Sequence, residues 1–281
     1  MPDQELVDRL RKRLPDDFSV RLLDGALAVL TQENNPARAH QCASSFRELI
    51  AHVLETMAPA ENVMRCAWFK QDKKIEGPTR RQRALYTCRG GLTDEFLKDK
   101  LGIKPTELHS ELGPAFVELN KRTHVRPDTE LKGTEEIEEF ADGALAALDD
   151  LFATMDEVRE KIATALSKEL HGAAMSAFVN QTIDELANIS GRYTTDAVWI
   201  EDAEVVSLDV DTIRYRVAGS VDVTLIAGSK SDGAEFDENF PYECTTLASA
   251  TAPMTFQSER TEMKVDTGSW TSDEAEVEAG G

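Results

Sequence analysis

The chain contains no apolar run approaching the ~20 residues that a membrane-spanning helix requires, so no membrane span is expected. Its first residues, MPDQELVDRLRKRLPDDF, are amphipathic and charged, without the apolar stretch and small-residue cleavage site of a secretory leader. The four cysteines, Cys42, Cys66, Cys88 and Cys244, are scattered, and the lack of any Cys-x-x-Cys pair argues against a zinc knuckle. Free thiols in a reducing compartment follow, and with them a soluble, cytoplasmic protein. Phosphate-cradling glycine loops, a nucleophile elbow and a His-Glu-x-x-His metal helix are all missing. Positive charge is scarce as well. Thirty-one Lys and Arg stand against 52 Asp and Glu, a net charge of −21. Such a surface repels phosphate backbones, so a nuclease of this charge needs a local basic patch, bound metal ions or a partner that delivers its substrate.

Helical periodicity dominates what remains. Residues 4–14 and 19–32 read as helices. After Pro36, Ala39, Cys42, Phe46, Leu49, Ile50, Val53, Leu54 and Met57 form one apolar stripe ending at Pro59. Thr79 is placed to cap a helix that stops at Gly90-Gly91, and Thr93 to open another. A further helix is expected from Lys104-Pro105, kinked or split by Pro114. From Thr134 onward, Ile137, Ala141, Ala144, Leu148, Leu151, Met155, Val158 and Ile162 alternate steps of four and three. That seam fits a long core helix or, alternatively, a coiled coil that makes a homodimer through residues 137–162. Gly172 is expected to break it.

At Gly191 the period changes to two. Val198, Ile200, Val205 and Val206 favour strand, a turn follows at Asp209–Thr212, and Ile213, Tyr215 and Val217 alternate with arginines. Gly219 reads as a turn or bulge, residues 228–238 as a polar acidic loop, and Phe240, Tyr242 and Cys244 as one more strand. The expected fold is α+β. A mainly helical bundle over 1–190 is followed by a small antiparallel β unit over 191–253, then a disordered acidic tail over 254–281.

Four segments carry candidate chemistry. Arg47 and His52 are separated by four residues, a spacing similar to the R-x4–6-H signature of HEPN-type ribonucleases; this resemblance implies an acid–base His52 and a phosphate-steadying Arg47 in a HEPN-like bundle. Residues 120–127 (NKRTHVRP) put Arg122, His124 and Arg126 together, with His124 as acid or base and the arginines as phosphate contacts. The same cations would also suit a helix C-terminus. The run Arg80, Arg81, Arg83, followed by Arg89, is the densest basic patch, fitted to phosphate, an acidic partner or the chain's own carboxylates. Asp232, Glu235, Asp237 and Glu238 form an acidic stretch whose spacing matches no EF-hand. Glu262-Met-Lys264 has the letters of a restriction-type nuclease but falls in the expected tail. No metal site or cofactor is called for; a divalent metal would enter only with restriction-type chemistry.

Several stretches taken in order resemble the family of predicted pPIWI-associating nucleases. They are residues 40–49 (HQCASSFREL), 78–83 (PTRRQR), 90–94 (GGLTD), 120–128 (NKRTHVRPD), 219–223 (GSVDV), 228–235 (GSKSDGAE) and 240–242 (FPY). The resemblance implies a nuclease or nuclease-like effector of a prokaryotic anti-invader system, with a PIWI-like partner. The alternative is a non-enzymatic adaptor that docks a partner through the seam or the arginine run.

Overall fold

The computed structural model describes residues 2–108, 112–123, 131, 133–227, 233–256, 261–268 and 270. The fold is α+β: helices first, then an antiparallel sheet. The chain divides into two compact units, Met1–Val158 and Arg159–Gly281. This division and the change from helix to strand near Gly191 fall at different positions.

The first unit holds α1 (Gln4–Arg13), α2 (Asp17–Leu30), α3 (Arg38–Met57), α4 (Ala60–Arg65), α5 (Arg80–Arg89), α6 (Asp94–Asp99), α7 (Leu112–Thr123) and most of α8 (Thr134–Ala165). α3 is central and packs against α2, α5 and α7. Its apolar stripe forms the core: Cys42, Phe46, Leu49, Ile50, Val53 and Leu54 are each at most 1% exposed. Side-chain caps fix the entries. Thr79 and Gln82 form a capping box on α5, Asp16 and Ser19 one on α2, and Thr93 caps α6. Gly90 closes α5 at φ 52°, where a side chain would be strained.

Two helix borders differ from expectation. α7 begins at Leu112, not at Pro105, so Pro114 lies in its first turn, where a missing N–H costs nothing. α8 ends at Ala165, and Gly172 lies inside α9 (Ser167–Asn180). The heptad seam is covered by the chain itself: Ile137, Ala141, Ala144, Leu148, Leu151, Met155, Val158 and Ile162 are each at most 6% exposed. A homodimer through 137–162 therefore has no exposed seam to use.

The second unit holds the end of α8, then α9, α10 (Asp184–Ile189), and the strands β1 (Tyr193–Leu208), β2 (Thr212–Ala227), β3 (Ala234–Ser249), β4 (Ala252–Phe256) and β5 (Glu262–Val265). β1, β2 and β3 form an antiparallel meander, and β4 and β5 both pair with β3. Alternation sends Ile213, Tyr215, Val217, Val221, Val223 and Leu225 inward, each at most 1% exposed. α9 packs on β1 and β4, and α10 on β5. The Phe178 ring meets Tyr242 edge-on at 5.1 Å.

Three expectations about this sheet are corrected. Gly219 makes no turn; it sits mid-strand, where an added Cβ would lie 1.9 Å from the Trp199 carbonyl oxygen. The bulges lie on β1, between Thr195 and Ala197, Ile200 and Asp202, and Val205 and Ser207, and the middle one is opposite Gly219, so the expected bulge is present at this point of the β1–β2 pair. Glu235, Asp237 and Glu238 belong to β3 rather than to a loop, and the strands continue past Pro253 to Val265. Residues 271–281 lie outside the described set.

Candidate active site

The capping box that starts α2 also builds an Asp–His pair in the helical unit. Asp16 Oδ1 accepts the Ser19 backbone N–H at 2.8 Å, which leaves Oδ2 pointing at α3. His52 Nε2 lies 2.7 Å from that oxygen. Thr56 Oγ1 is 3.4 Å from the same nitrogen, and the Phe18 ring stands edge-on to the imidazole at 4.8 Å. Both partners are reachable from solvent, with side-chain exposures of 29% for His52 and 37% for Asp16. The Ser19 hydrogen bond and then His52 hold the Asp16 carboxyl down to about 2, so it is ionised at neutral pH. A carboxylate on one ring nitrogen fixes the orientation and tautomer of an imidazole, the arrangement a general base needs.

Arg47 shares α3 with His52, but five residues place the two side chains roughly 140° apart around the axis. Its guanidinium turns to Glu48 Oε1, with Nη2 at 2.7 Å and Nε at 3.2 Å. The arginine run divides. Arg80 lies over the Phe116 ring at 4.7 Å, joining α5 to α7, and Arg81 is exposed on the same turn. Arg83 donates to the Ala58 carbonyl. Arg89 is buried; it donates to the Leu92 carbonyl, pairs with Asp94 at 2.6 Å and lies 5.2 Å from the Trp68 ring. Arg122 is held by Glu118 at 2.6 Å. His124 and Arg126 lie outside the described residues. Arg47, His52 and the arginine run thus turn to different partners: Glu48, Asp16, and Phe116, Ala58 and Asp94 respectively.

Beside Arg122, α7 and α8 border an open groove of about 710 Å³. Its apolar walls combine small residues (Ala115, Gly143, Ala144, Ala146 and Ala147) with Leu119 and Phe140, and Glu118, Glu136, Glu139 and Asp150 stand around it. Sequence periodicity treats α8 as a single apolar seam and misses this second, open face.

Sequence reading also misses the outer face of the sheet. Glu262 and Lys264 lie on β5 rather than in a tail, and Lys264 pairs in register with Glu243 on β3. Further along, Thr224 Oγ1 contacts Asp196 at 2.8 Å and Asp237 at 3.0 Å, while Asp222 accepts from Trp199 and Asn239. The alternation of Asp222 and Thr224 with buried valines is the signal that marks this face. Among the described residues, no group of three or more His, Cys, Asp or Glu is placed to hold a metal ion. No described helix is long and apolar enough to cross a membrane.

The architecture is thus that of a helical unit joined to a helix-backed antiparallel sheet, with an Asp–His pair in the former. Two family models match it, over residues 11–148 and 155–271, and both are described as predicted pPIWI-associating nuclease. The chain belongs to the family of predicted pPIWI-associating nucleases. Neither a curated protein nor a solved structure matches it.

Proposed function

We propose that this protein is a nuclease of a prokaryotic PIWI-associated anti-invader system, working on nucleic acid that a partner protein delivers. The helical unit carries the chemistry. His52 takes the proton from the attacking hydroxyl, and Arg47 offsets charge on the phosphoryl oxygens, the HEPN-like division of labour. The observation that supports this reading is the 2.7 Å pair of His52 with Asp16, which orients the imidazole while leaving it reachable. Arg47 must leave Glu48 to reach substrate, an exchange of one surface ion pair for another. His124, with Arg122 and Arg126, is the second acid–base candidate; Arg80 and Arg81 extend the phosphate contacts.

The test is cleavage of labelled RNA and DNA by the purified chain with its partner, with and without EDTA. Cleavage that survives EDTA and is lost in the His52→Ala, His124→Ala double variant supports the reading. Full cleavage by that double variant removes it. Asp16→Asn serves as a positioning control: a displaced pH–rate profile is expected, whereas a purely structural Asp16 would lower the melting temperature alone.

A second reading is a non-enzymatic adaptor. It is favoured by the pairing of Arg47 with Glu48 and of Arg122 with Glu118, which leaves both guanidiniums already neutralised. Stable capture of the partner together with absence of turnover supports it.

A further inference from the structure

The geometry points to the α7–α8 groove as a docking site for a basic amphipathic helix on a partner protein. The inference goes beyond the nuclease reading and does not depend on it. On α8, Glu136, Glu139, Gly143, Ala146 and Asp150 are all exposed and follow helical spacing, so they form one open face along the rod. Gly143 is central to it, and a Cβ added there would meet nothing within 4 Å. Small residues at the middle of a helix face let a second helix approach closely, at the ~8–10 Å axial separation of packed helices. The Phe140 ring and Ala115 on α7 supply apolar wall, and the open groove of about 710 Å³ is room for side chains of an incoming helix.

Charge selects the occupant. Among the described residues, the lining carries four carboxylates, Glu118, Glu136, Glu139 and Asp150, and one cation, Arg122, which already pairs with Glu118. An incoming helix therefore needs Lys or Arg flanking an apolar stripe, the usual form of helix-in-groove recognition. The chain's own last segment, TSDEAEVEAGG, has the wrong sign, with Asp273, Glu274, Glu276 and Glu278 and no base. A second copy is disfavoured likewise by a net charge of −21 on each molecule.

The probe is a fluorescein-labelled synthetic helix of about five turns, built from Leu and Ala on one face and Lys on the other. Its affinity for the full chain is read by anisotropy at physiological salt. An uncharged helix with the same apolar face is the comparison. Gly143→Leu fills the groove, and because Leu is a better helix former than Gly the fold is expected to hold. Weakening of about tenfold by Gly143→Leu, and again by Glu136→Lys with Glu139→Lys, is the expected result. Charge reversal on the sheet, Glu201→Lys with Asp202→Lys, should leave the affinity within about twofold. Equal weakening by the sheet reversal overturns the proposal, because binding is then diffuse electrostatics. Unchanged affinity in Gly143→Leu, equal binding of the uncharged helix, or self-association of the chain that Gly143→Leu abolishes also overturns it. Circular dichroism melts of each variant check folding, and the charge pair carries the test if Gly143→Leu is unfolded.

Discussion

Replacing Arg89 by Met should destabilise the helical unit by about 2–3 kcal/mol, and the size follows from what the guanidinium touches. Arg89 is 1% exposed, deep for a cation. Two of its N–H groups point at the Leu92 carbonyl and a third at Asp94, while Trp68, whose Nε1 donates to the Gly90 carbonyl, lies beneath it. Met keeps most of the aliphatic volume, so the cavity contribution is small. The buried Leu92 carbonyl loses its donors, costing about 1–3 kcal/mol. The cation–π contact contributes about 0.5–2 kcal/mol more. Two effects offset these. Burial pulls the pKa of Arg89 down against the upward push of Asp94, so removing the cation relieves desolvation, and Asp94, half exposed, returns to water. The assay is urea unfolding followed by Trp68 emission in a Trp199→Phe, Trp270→Phe background, which isolates the helical unit. A midpoint stability within about 0.5 kcal/mol of the parent would refute the reasoning.

Asp16 should make stability depend on acid. Its folded-state pKa, about 2, lies below the ordinary carboxyl value of 3.8, so its contribution is complete above that value and is lost as pH falls toward 2. Unfolding midpoints measured from pH 5 to 2 should fall less steeply in Asp16→Asn; parallel curves would contradict the pairing. Gly25→Ala, in an exposed stretch of α2 where a Cβ meets nothing, should raise stability by about 0.5–1 kcal/mol in the same urea assay, and a loss would show that the site needs glycine. Gly219→Ala should disrupt β1–β2 pairing, because its Cβ would overlap the Trp199 carbonyl, and Trp199 emission should report loss of a cooperative sheet transition while Trp68 keeps its own.

What the sequence revealed was local. The stripe of α3, the caps at Thr79 and Thr93, the turn at Asp209–Thr212 and the inward residues of β2 all follow from periodicities within a few residues. What it hid was set by distant neighbours. Nothing near Gly219 says that β1 passes within touching distance, so a strand glycine reads as a turn or bulge, and only the bulge, on the facing strand, is there. Nothing near Glu262 says that β3 has an edge to receive it, so a short polar strand reads as tail. Arg83 and Arg89 share a run with Arg80 and Arg81, yet Arg83 reaches back 25 residues to Ala58 while Trp68 covers Arg89. The partner of His52, Asp16, is 36 residues away and carries an ordinary capping signal of its own.

The distribution of cations bears on how an acidic chain meets a polyanion. Arg9, Arg11, Arg13, Arg47, Arg89, Arg122 and Arg216 each stand within 3.0 Å of an Asp or Glu oxygen. In these pairs the cations are spent within the protein, where they join α1 to α2 and α8 and hold β1 to β2. A phosphate reaching any of them must displace a carboxylate that then stays nearby, so the exchange gains little and adds repulsion. Screening extends only ~8–10 Å at ordinary ionic strength, so it softens the net charge without reversing its sign near the surface. On the proposed reading these paired arginines add little affinity for a nucleic acid, which leaves exposed Arg80 and Arg81 and the cations of a partner to supply it. On the docking proposal made above, the acidic groove of α7 and α8 is the surface that would hold such a cation-bearing partner next to Arg122.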